Sequence, residues 1–184
     1  LQTLIPAVQY NLARQKQHIR IFEHGNIFLR DEDNKPSENT MLAGIMVGDA
    51  DVKSYQQAAR GVDYYDVKNI VTNLLLLLGY PKVEFTRSDH IAYHPNQSAN
   101  VSIDGAHVGV IGRLNPVLES EFEIGKAVAF AINLDHLPPL QSQAYAIPSR
   151  YPSVSRDITL SCALAVESAA LCHAWDGLSL PELC

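Results

Sequence analysis

The sequence predicts an α+β fold, in which an antiparallel sheet is flanked by helices. Three observations favour this class. Residues 63–78 carry apolar side chains at helical spacing. Asp104 and Gly105 stand between two apolar segments, which is the strongest short signal of a β-hairpin. Residues 19–29 and 41–47 are strand-like and enclose a polar segment, so they predict a second antiparallel pair.

The first element is a short helix with Thr3 as its candidate N-cap. Its apolar residues recur at helical spacing: Leu1, Leu4, Ile5, Val8 and Leu12. Residues 19–29 are predicted either as two strands or as one long strand bent around Gly25. Residues 30–39 are polar and contain a proline, so we expect a solvated loop there. Residues 41–47 are apolar and predict a buried strand.

The helix over residues 63–78 has the clearest boundaries. Asp63 or Asp66 is its candidate N-cap, and Gly79, with a proline two residues later, ends it. Its apolar residues form one broad stripe: Val67, Ile70, Val71, Leu74, Leu75 and Leu78. We expect the stripe to lie in the core, so that truncating Leu74 would cost about 2–5 kcal/mol.

Short elements follow this helix. They are strands at residues 83–85, 99–103 and 108–114, a helix that Asn115 opens and that runs to residue 122, and a strand at residues 127–134. The last strand is almost wholly apolar, so it is expected at the centre of the sheet.

The chain divides into three predicted segments. Residues 1–140 form a core domain, residues 141–148 a linker, and residues 149–184 a C-terminal piece. Within that piece residues 149–160 are basic and strand-like, whereas residues 163–184 contain a short helix and no clear strand.

Composition limits the class of protein. The 184 residues are 47% hydrophobic and 18% charged, as in an ordinary globular protein, and the formal net charge is −6. An acidic excess weighs against a free-standing nucleic-acid binder. The longest apolar stretch, residues 74–78, is too short for a membrane helix, and no signal peptide is evident. We therefore expect a cytoplasmic protein with no membrane contact.

The motifs do not build an active site. Asp89, His90 and His94 have the spacing of a zinc or hydrolase site, but Pro95 disfavours the helix that such a site needs. They remain one alternative, a small metal-binding enzyme or hydrolase. A second alternative is an RNA-binding module that uses Arg150 and Arg156.

The remaining candidate motifs indicate structure. The glycines Gly105, Gly109 and Gly112 lie within a predicted hairpin, so they do not indicate a phosphate loop. The three cysteines, Cys162, Cys172 and Cys184, form no C-x-x-C motif and are expected to be reduced thiols.

Seven motifs occur in a fixed order along the chain. Residues 4–14 are similar to L-L-P-G-L-L…Y-N-x-x-R, residues 21–28 to L-F-E-I-G-R-V-F, residues 42–44 to L-A-G, residues 63–68 to D-F-Y-D-L-K, residues 94–99 to H-P-G-R-S-A, residues 109–116 to G-x-I-G-x-L-H-P, and residues 150–158 to R-F-P-A-V-R-R-D-L. Together they resemble the β subunit of bacterial-type phenylalanine–tRNA ligase. Asn96 and Gln97 depart from its Gly-Arg, and Asn115 departs from its His.

The resemblance implies a class II aminoacyl-tRNA synthetase-like fold that has lost its chemistry, followed by the start of a truncated ferredoxin-like anticodon-binding module. In the family's catalytic α subunit an Arg and a Glu grip ATP. By this resemblance Arg30 keeps the Arg position with Leu29 beside it, whereas Ala43, directly before Gly44, replaces the Glu. The third class II motif, Gly-x-Gly-x-Glu-Arg, does not occur in these residues.

The resemblance thus implies no catalytic, cofactor-binding or metal residues in this chain, although the whole enzyme uses ATP and Mg²⁺. The implied role is a non-catalytic scaffold that supports α subunits in a heterotetramer which charges tRNA with phenylalanine. Transfer RNA would be met only through the whole assembly, with Arg150 and Arg156 as candidate RNA or subunit contacts. An isolated chain would expose apolar surface, including residues 137–148, and we expect it to form a homodimer.

Overall fold

The computed structural model describes residues 1–30, 34–51, 55, 58–140, 155, 157–163 and 166–178. The chain divides into two compact units, Leu1–Ser142 and Gln143–Cys184. The predicted boundaries at residues 140 and 149 stay predictions, because the linker at residues 141–148 lies outside the described residues.

In the first unit, the described helices are separated by groups of consecutive strands. The helices are α1 (Leu4–Leu12), α2 (Tyr64–Leu77) and α3 (Pro116–Glu121), with a 3₁₀ turn at Leu134–His136. The strands are β1 (Ile19–Arg30), β2 (Pro36–Val47), β3 (Asp49–Asp51), β4 (Arg60–Gly61), β5 (Glu84–Arg87), β6 (Tyr93–Ile103), β7 (Ala106–Leu114) and β8 (Ala127–Asn133).

Six of the strands form one antiparallel sheet in the order β1-β2-β8-β7-β6-β5, and β3 and β4 form a separate pair. The α+β class with an antiparallel sheet and flanking helices is therefore confirmed. The strand β8 lies between β2 and β7, so the expectation that the most apolar strand is central is also confirmed.

The two faces of the sheet carry two separate apolar clusters, because successive side chains of a strand point to opposite faces. On one face Ile45 and Ala129 pack with Val8 of α1. On the other face Phe130 packs with Val71 and Leu75 of α2. The helices α1 and α2 thus cover opposite faces of the sheet, with α1 over β1 and β2 and α2 over β7 and β8.

The helix α2 begins and ends as its sequence predicts. Asp63 is the N-cap, its carboxylate accepts hydrogen bonds from the backbone of Tyr65 and Asp66, and the Asp66 carboxylate accepts from the Asp63 backbone in return. The expected burial of the whole stripe is wrong. Val67, Val71 and Leu75 are fully buried, whereas Ile70 and Leu78 are exposed and Leu74 is half-buried.

Several boundaries near the N-terminus differ from the prediction. Thr3 makes no capping hydrogen bond; its hydroxyl donates to the Glu23 carboxylate instead. Residues 19–29 form one strand, the second of the two alternatives. The expected loop over residues 30–39 is too long, because β2 already begins at Pro36 and pairs with Arg30.

The tight turn between β6 and β7 is confirmed. Asp104 and Gly105 both have positive φ, 50° and 79°, as a type I′ hairpin turn requires. The short helix α3 is also confirmed, because the Asn115 side chain accepts a hydrogen bond from the backbone N–H of Val117 at 3.0 Å.

In the second unit the described residues contain one helix, α4 (Ser168–Asp176), in agreement with the short helix expected there. Residues 157–160 are not the predicted strand; they carry no regular secondary structure. The rest of that predicted strand, residues 149–154 and 156, lies largely outside the described residues. Cys162 and Cys172 are free and exposed, whereas Cys184 lies outside the described residues. No helix of the described chain is long and apolar enough to span a membrane.

Candidate functional site

A cavity of about 590 Å³ opens where the start of α1 meets β1 and β2. Its walls include Thr3, Glu23, Asn26, Met41 and Ala43. Glu23 and Ala43 stand opposite one another in the β1–β2 register, so their side chains share this face of the sheet.

The described walls of the cavity carry a negative charge. The Glu23 carboxylate lines it and accepts the Thr3 hydroxyl proton in a hydrogen bond. Among the residues that the structure describes, no Arg, Lys or His side chain contributes to its walls. The described walls of the cavity therefore supply the Glu23 carboxylate and no counter-charge for a phosphate group.

Arg30 does not line this cavity. Its guanidinium Nη1 donates to the side-chain oxygen of Asn34 at 2.9 Å, close to the tip of the β1–β2 hairpin. The two positions that the resemblance connects with ATP, Arg30 and Ala43, are therefore not brought together in one site.

A second cavity, of about 480 Å³ and with a mixed polar and apolar lining, lies between the start of α2 and strands β5 and β6. Tyr65, Arg87, Asn96 and Gln97 line it, and Arg87 donates to the Asn96 side-chain oxygen at 3.0 Å. Asn96 and Gln97 are the residues that depart from the family's Gly-Arg. The side chain of Asn96 thus accepts a hydrogen bond from the guanidinium of Arg87 in the same chain.

A third cavity, of about 290 Å³, is apolar and lies beside α2 on the opposite face of the sheet from the first. Leu42, Met46, Phe130, Ile70 and Leu74 are among its lining residues. One edge of the α2 stripe borders this groove and stays accessible, because α2 packs mainly over β7 and β8.

The metal-site alternative finds no support in the geometry. The described residues contain no group of three His, Cys, Asp or Glu side chains that could hold a metal ion, so Asp89, His90 and His94 do not form one. The Nδ1 atoms of His90 and His94 instead accept backbone N–H groups of Ala92 and Asn96. Both imidazoles thus bind nearby backbone around the start of β6, and His94 lies in a strand and not in a helix, as Pro95 predicts.

Sequence reasoning missed a buried ion pair near α3. The Arg113 guanidinium donates to both carboxylate oxygens of Glu119, at 3.0 and 2.7 Å, and the same carboxylate accepts the Ala127 backbone N–H at 3.0 Å. Glu119 is only 6% exposed. Hydrogen bonding to Glu119 raises the pKa of Arg113. The pair joins β7, α3 and the start of β8; no local sequence pattern marks a contact of this kind.

A second ionic cluster anchors the start of α2. Arg60 donates to both oxygens of Asp66, at 2.9 and 2.8 Å, and to Asp51 at 2.9 Å. The hydrogen bonds from Arg60 lower the pKa of Asp66, against a smaller opposing effect of burial. This cluster holds the β3–β4 pair to α2 and is structural in character.

Arg150 and Arg156, the candidate RNA or subunit contacts, both lie outside the described residues. Their role stays a prediction.

Comparison with known proteins places this α+β domain among the aminoacyl-tRNA synthetase subunits. Residues 1–134 match the family described as "Phenylalanyl tRNA synthetase beta chain CLM domain", and the chain belongs to that family. The resemblance seen in the sequence motifs is thereby confirmed.

The relatives are phenylalanine–tRNA ligase β subunits. That of Bacillus subtilis is 36% identical over 172 residues, which cover 91% of this chain and 21% of the relative. That of Acinetobacter baylyi is 38% identical over 167 residues, 87% of this chain and 20% of the relative. That of Geobacillus kaustophilus is 31% identical over 188 residues, 98% of this chain and 23% of the relative. The chain thus spans about a fifth of the length of the curated relatives that it matches.

Proposed function

We propose that this chain is the catalytic-like region of a phenylalanine–tRNA ligase β subunit and serves as a non-catalytic scaffold for α subunits. The observation that carries the proposal is the cavity at β1 and β2. It occupies the face where Ala43 stands in place of the ATP-gripping Glu, and no described basic side chain lines it.

The chemical argument concerns charge. Transfer of a nucleotidyl group requires fixed cationic groups or metal ions at the phosphates. Glu23 supplies the opposite charge, Ala43 supplies no ligand, and Arg30 is engaged with Asn34 at the hairpin tip. A chain with this arrangement is suited to a structural role.

The finer fold assignment belongs to the same proposal. We assign the sheet to the class II synthetase type, with β1 and β2 as the hairpin that follows α1 and with β8 as the central strand. The C-terminal residues would be the start of an anticodon-binding module. The whole enzyme would use ATP and Mg²⁺ on its α subunits, would meet tRNA only as an assembly, and would act in the cytoplasm.

Calorimetric titration with Mg²⁺-ATP and with phenylalanine tests the loss of chemistry. We expect no saturable heat from the isolated chain, with the assembled αβ enzyme as the positive control. Saturable ATP binding by the chain at micromolar concentration would contradict the proposal.

Co-purification with the cognate α subunit tests the scaffold role. We expect an affinity-tagged chain to retain α on a column, and an excess of the complete β subunit to displace it. Two outcomes would show that the chain does not occupy the β position. Either the chain retains no α, or it retains α that an excess of complete β does not displace.

A further inference from the structure

Strand β1 lies at one end of the described sheet. The strand has 12 residues, is the last in the sheet and pairs on one side only, with β2. Within the described part of the chain no other strand pairs with its second side. Two large apolar side chains on this strand are mostly exposed, Phe22 at 75% and Phe28 at 73%. A long apolar edge of this kind is a template for pairing with another strand.

The order of residues along β1 fits pairing with its own copy. Two identical strands pair antiparallel in a continuous sheet around a two-fold axis perpendicular to that sheet, so one residue lies opposite itself. If that residue is Gly25, Phe22 lies opposite the partner's Phe28, and Ile21 lies opposite the partner's Leu29. Each pair occurs twice because of the symmetry.

We propose that β1 is a self-association edge, which takes a second copy of this chain in antiparallel pairing centred on Gly25. The two Phe22–Phe28 pairs then lie on one face of the joined sheet and the Ile21–Leu29 pairs on the other. The inference does not depend on the scaffold role, since it concerns an edge and a partner of the same sequence.

Gly25 suits the position on the axis. An added Cβ at Gly25 would meet no heavy atom within 4 Å, and its φ is not positive, so the face of the sheet has room for a side chain at this point. His24 then lies opposite the partner's Asn26, two side chains that can share a hydrogen bond.

The same register places Arg20 opposite the partner's Arg30. Each guanidinium is already held by its own chain: Arg20 donates to the Ala50 carbonyl at 2.7 Å, and Arg30 donates to Asn34 at 2.9 Å. The remaining repulsion between like charges, and between two chains of net charge −6, is screened by salt. The pairing should therefore tighten as ionic strength rises.

Sedimentation equilibrium at several concentrations tests the association, and a charge exchange tests the register. We expect Phe22→Glu alone, and Phe28→Lys alone, to weaken dimerisation about tenfold, because each removes two cross-strand aromatic pairs. The double variant brings each Glu opposite a Lys of the partner, so it should recover most of the loss. Ile91→Glu, at a site that is 87% exposed on another part of the unit, is the matched control and should leave dimerisation unchanged.

Cysteine cross-linking gives an independent measure of the register. In a background with the three native cysteines replaced by Ser, Gly25→Cys should form an intermolecular disulfide on mild oxidation, because opposite Cα atoms lie about 4.5–5.5 Å apart. Ile27→Cys should not, because the two copies of that residue would be about 13 Å apart along the strands.

Four results would overturn the proposal. They are a monomer mass for the unsubstituted chain at every concentration and salt, unchanged dimerisation of Phe22→Glu or Phe28→Lys, a double charge variant that dimerises no more strongly than the single ones, and equal cross-linking at positions 25 and 27. Circular dichroism and urea midpoints of the variants separate loss of pairing from loss of folding.

Discussion

The ring of Phe130 lies directly over the Cα atom of Gly44. The two residues are opposite one another on the neighbouring strands β8 and β2. A Cβ atom built on Gly44 would overlap Cε1 of that ring and come within 2.7 Å of its Cζ. Phe130 is thereby buried to 8% exposure in the middle of the sheet face that α2 covers. The glycine is required by this close approach and not by its backbone conformation.

Gly44→Ala is therefore expected to destabilise the fold by about 1–3 kcal/mol, since Phe130 has to leave its rotamer or the strands must separate. Urea unfolding gives the measurement. Gly25→Ala on the adjacent strand is the control, because its Cβ has open space, and it should be neutral or stabilise slightly. Equal midpoints for the two variants would contradict this account of Gly44.

The hydroxyl of Tyr93 is buried, and the described residues supply no hydrogen-bond partner for it. The residue is 2% exposed in the cluster beneath α1, and burial raises the pKa of its phenol. Tyr93→Phe should raise the free energy of unfolding by about 1 kcal/mol, because it removes an unsatisfied polar group and keeps the ring.

Tyr80 provides the matched comparison for Tyr93. Its hydroxyl donates to the Pro138 carbonyl at 2.7 Å, so Tyr80→Phe should lower the free energy of unfolding by about 0.5–1.5 kcal/mol. Thermal or urea unfolding of both variants tests whether their free energies of unfolding change in these opposite directions. A loss of stability in Tyr93→Phe would mean that the hydroxyl is satisfied.

Neighbouring leucines of α2 should respond differently to truncation. Leu75 is fully buried beneath the helix, so Leu75→Ala should cost about 2–5 kcal/mol. Leu74 is half-buried on the wall of the apolar groove, so Leu74→Ala should cost only about 1 kcal/mol. Urea midpoints with an unchanged slope test the order, and a larger effect at Leu74 would restore the expectation that the entire stripe is core.

The Arg60–Asp66 ion pair makes part of the stability dependent on pH. The folded pKa of Asp66 lies below its unfolded value of about 4, so its contribution is present above that value. It is lost as the pH falls from about 4 through the folded pKa. The protein should therefore lose stability on acidification in this range.

The variant Asp66→Asn separates the contribution of Asp66 to the pH dependence of stability from the contributions of the other carboxylates. The variant should be less stable than the unsubstituted chain at pH 7, and the difference should shrink as the pH drops below about 4. Asp104→Asn, in the exposed hairpin turn, is the control, since Asn also tolerates the positive φ there. A difference for Asp66→Asn that stays constant with pH would exclude the ion pair as its cause.

Local sequence patterns determined much of the secondary structure. Asp63 and Asp66 marked the start of α2, Asp104-Gly105 marked a turn, and Asn115 marked α3, because each acts through hydrogen bonds or φ angles within a few residues. The seven ordered motifs over residues 4–158 also indicated the family, which comparison confirms over residues 1–134.

Tertiary structure alone decided which surfaces are covered. Periodicity places Ile70, Leu74 and Leu75 on one apolar stripe, but it cannot tell that α2 packs over β7 and β8 and leaves part of that stripe beside an open groove. The burial of Glu119 against Arg113 also depends on elements that meet only in the fold. Capping and turns arise from neighbours in sequence, whereas burial, ion pairing across elements and the place of β1 at the end of the sheet arise from long-range packing, so only the folded chain specifies them.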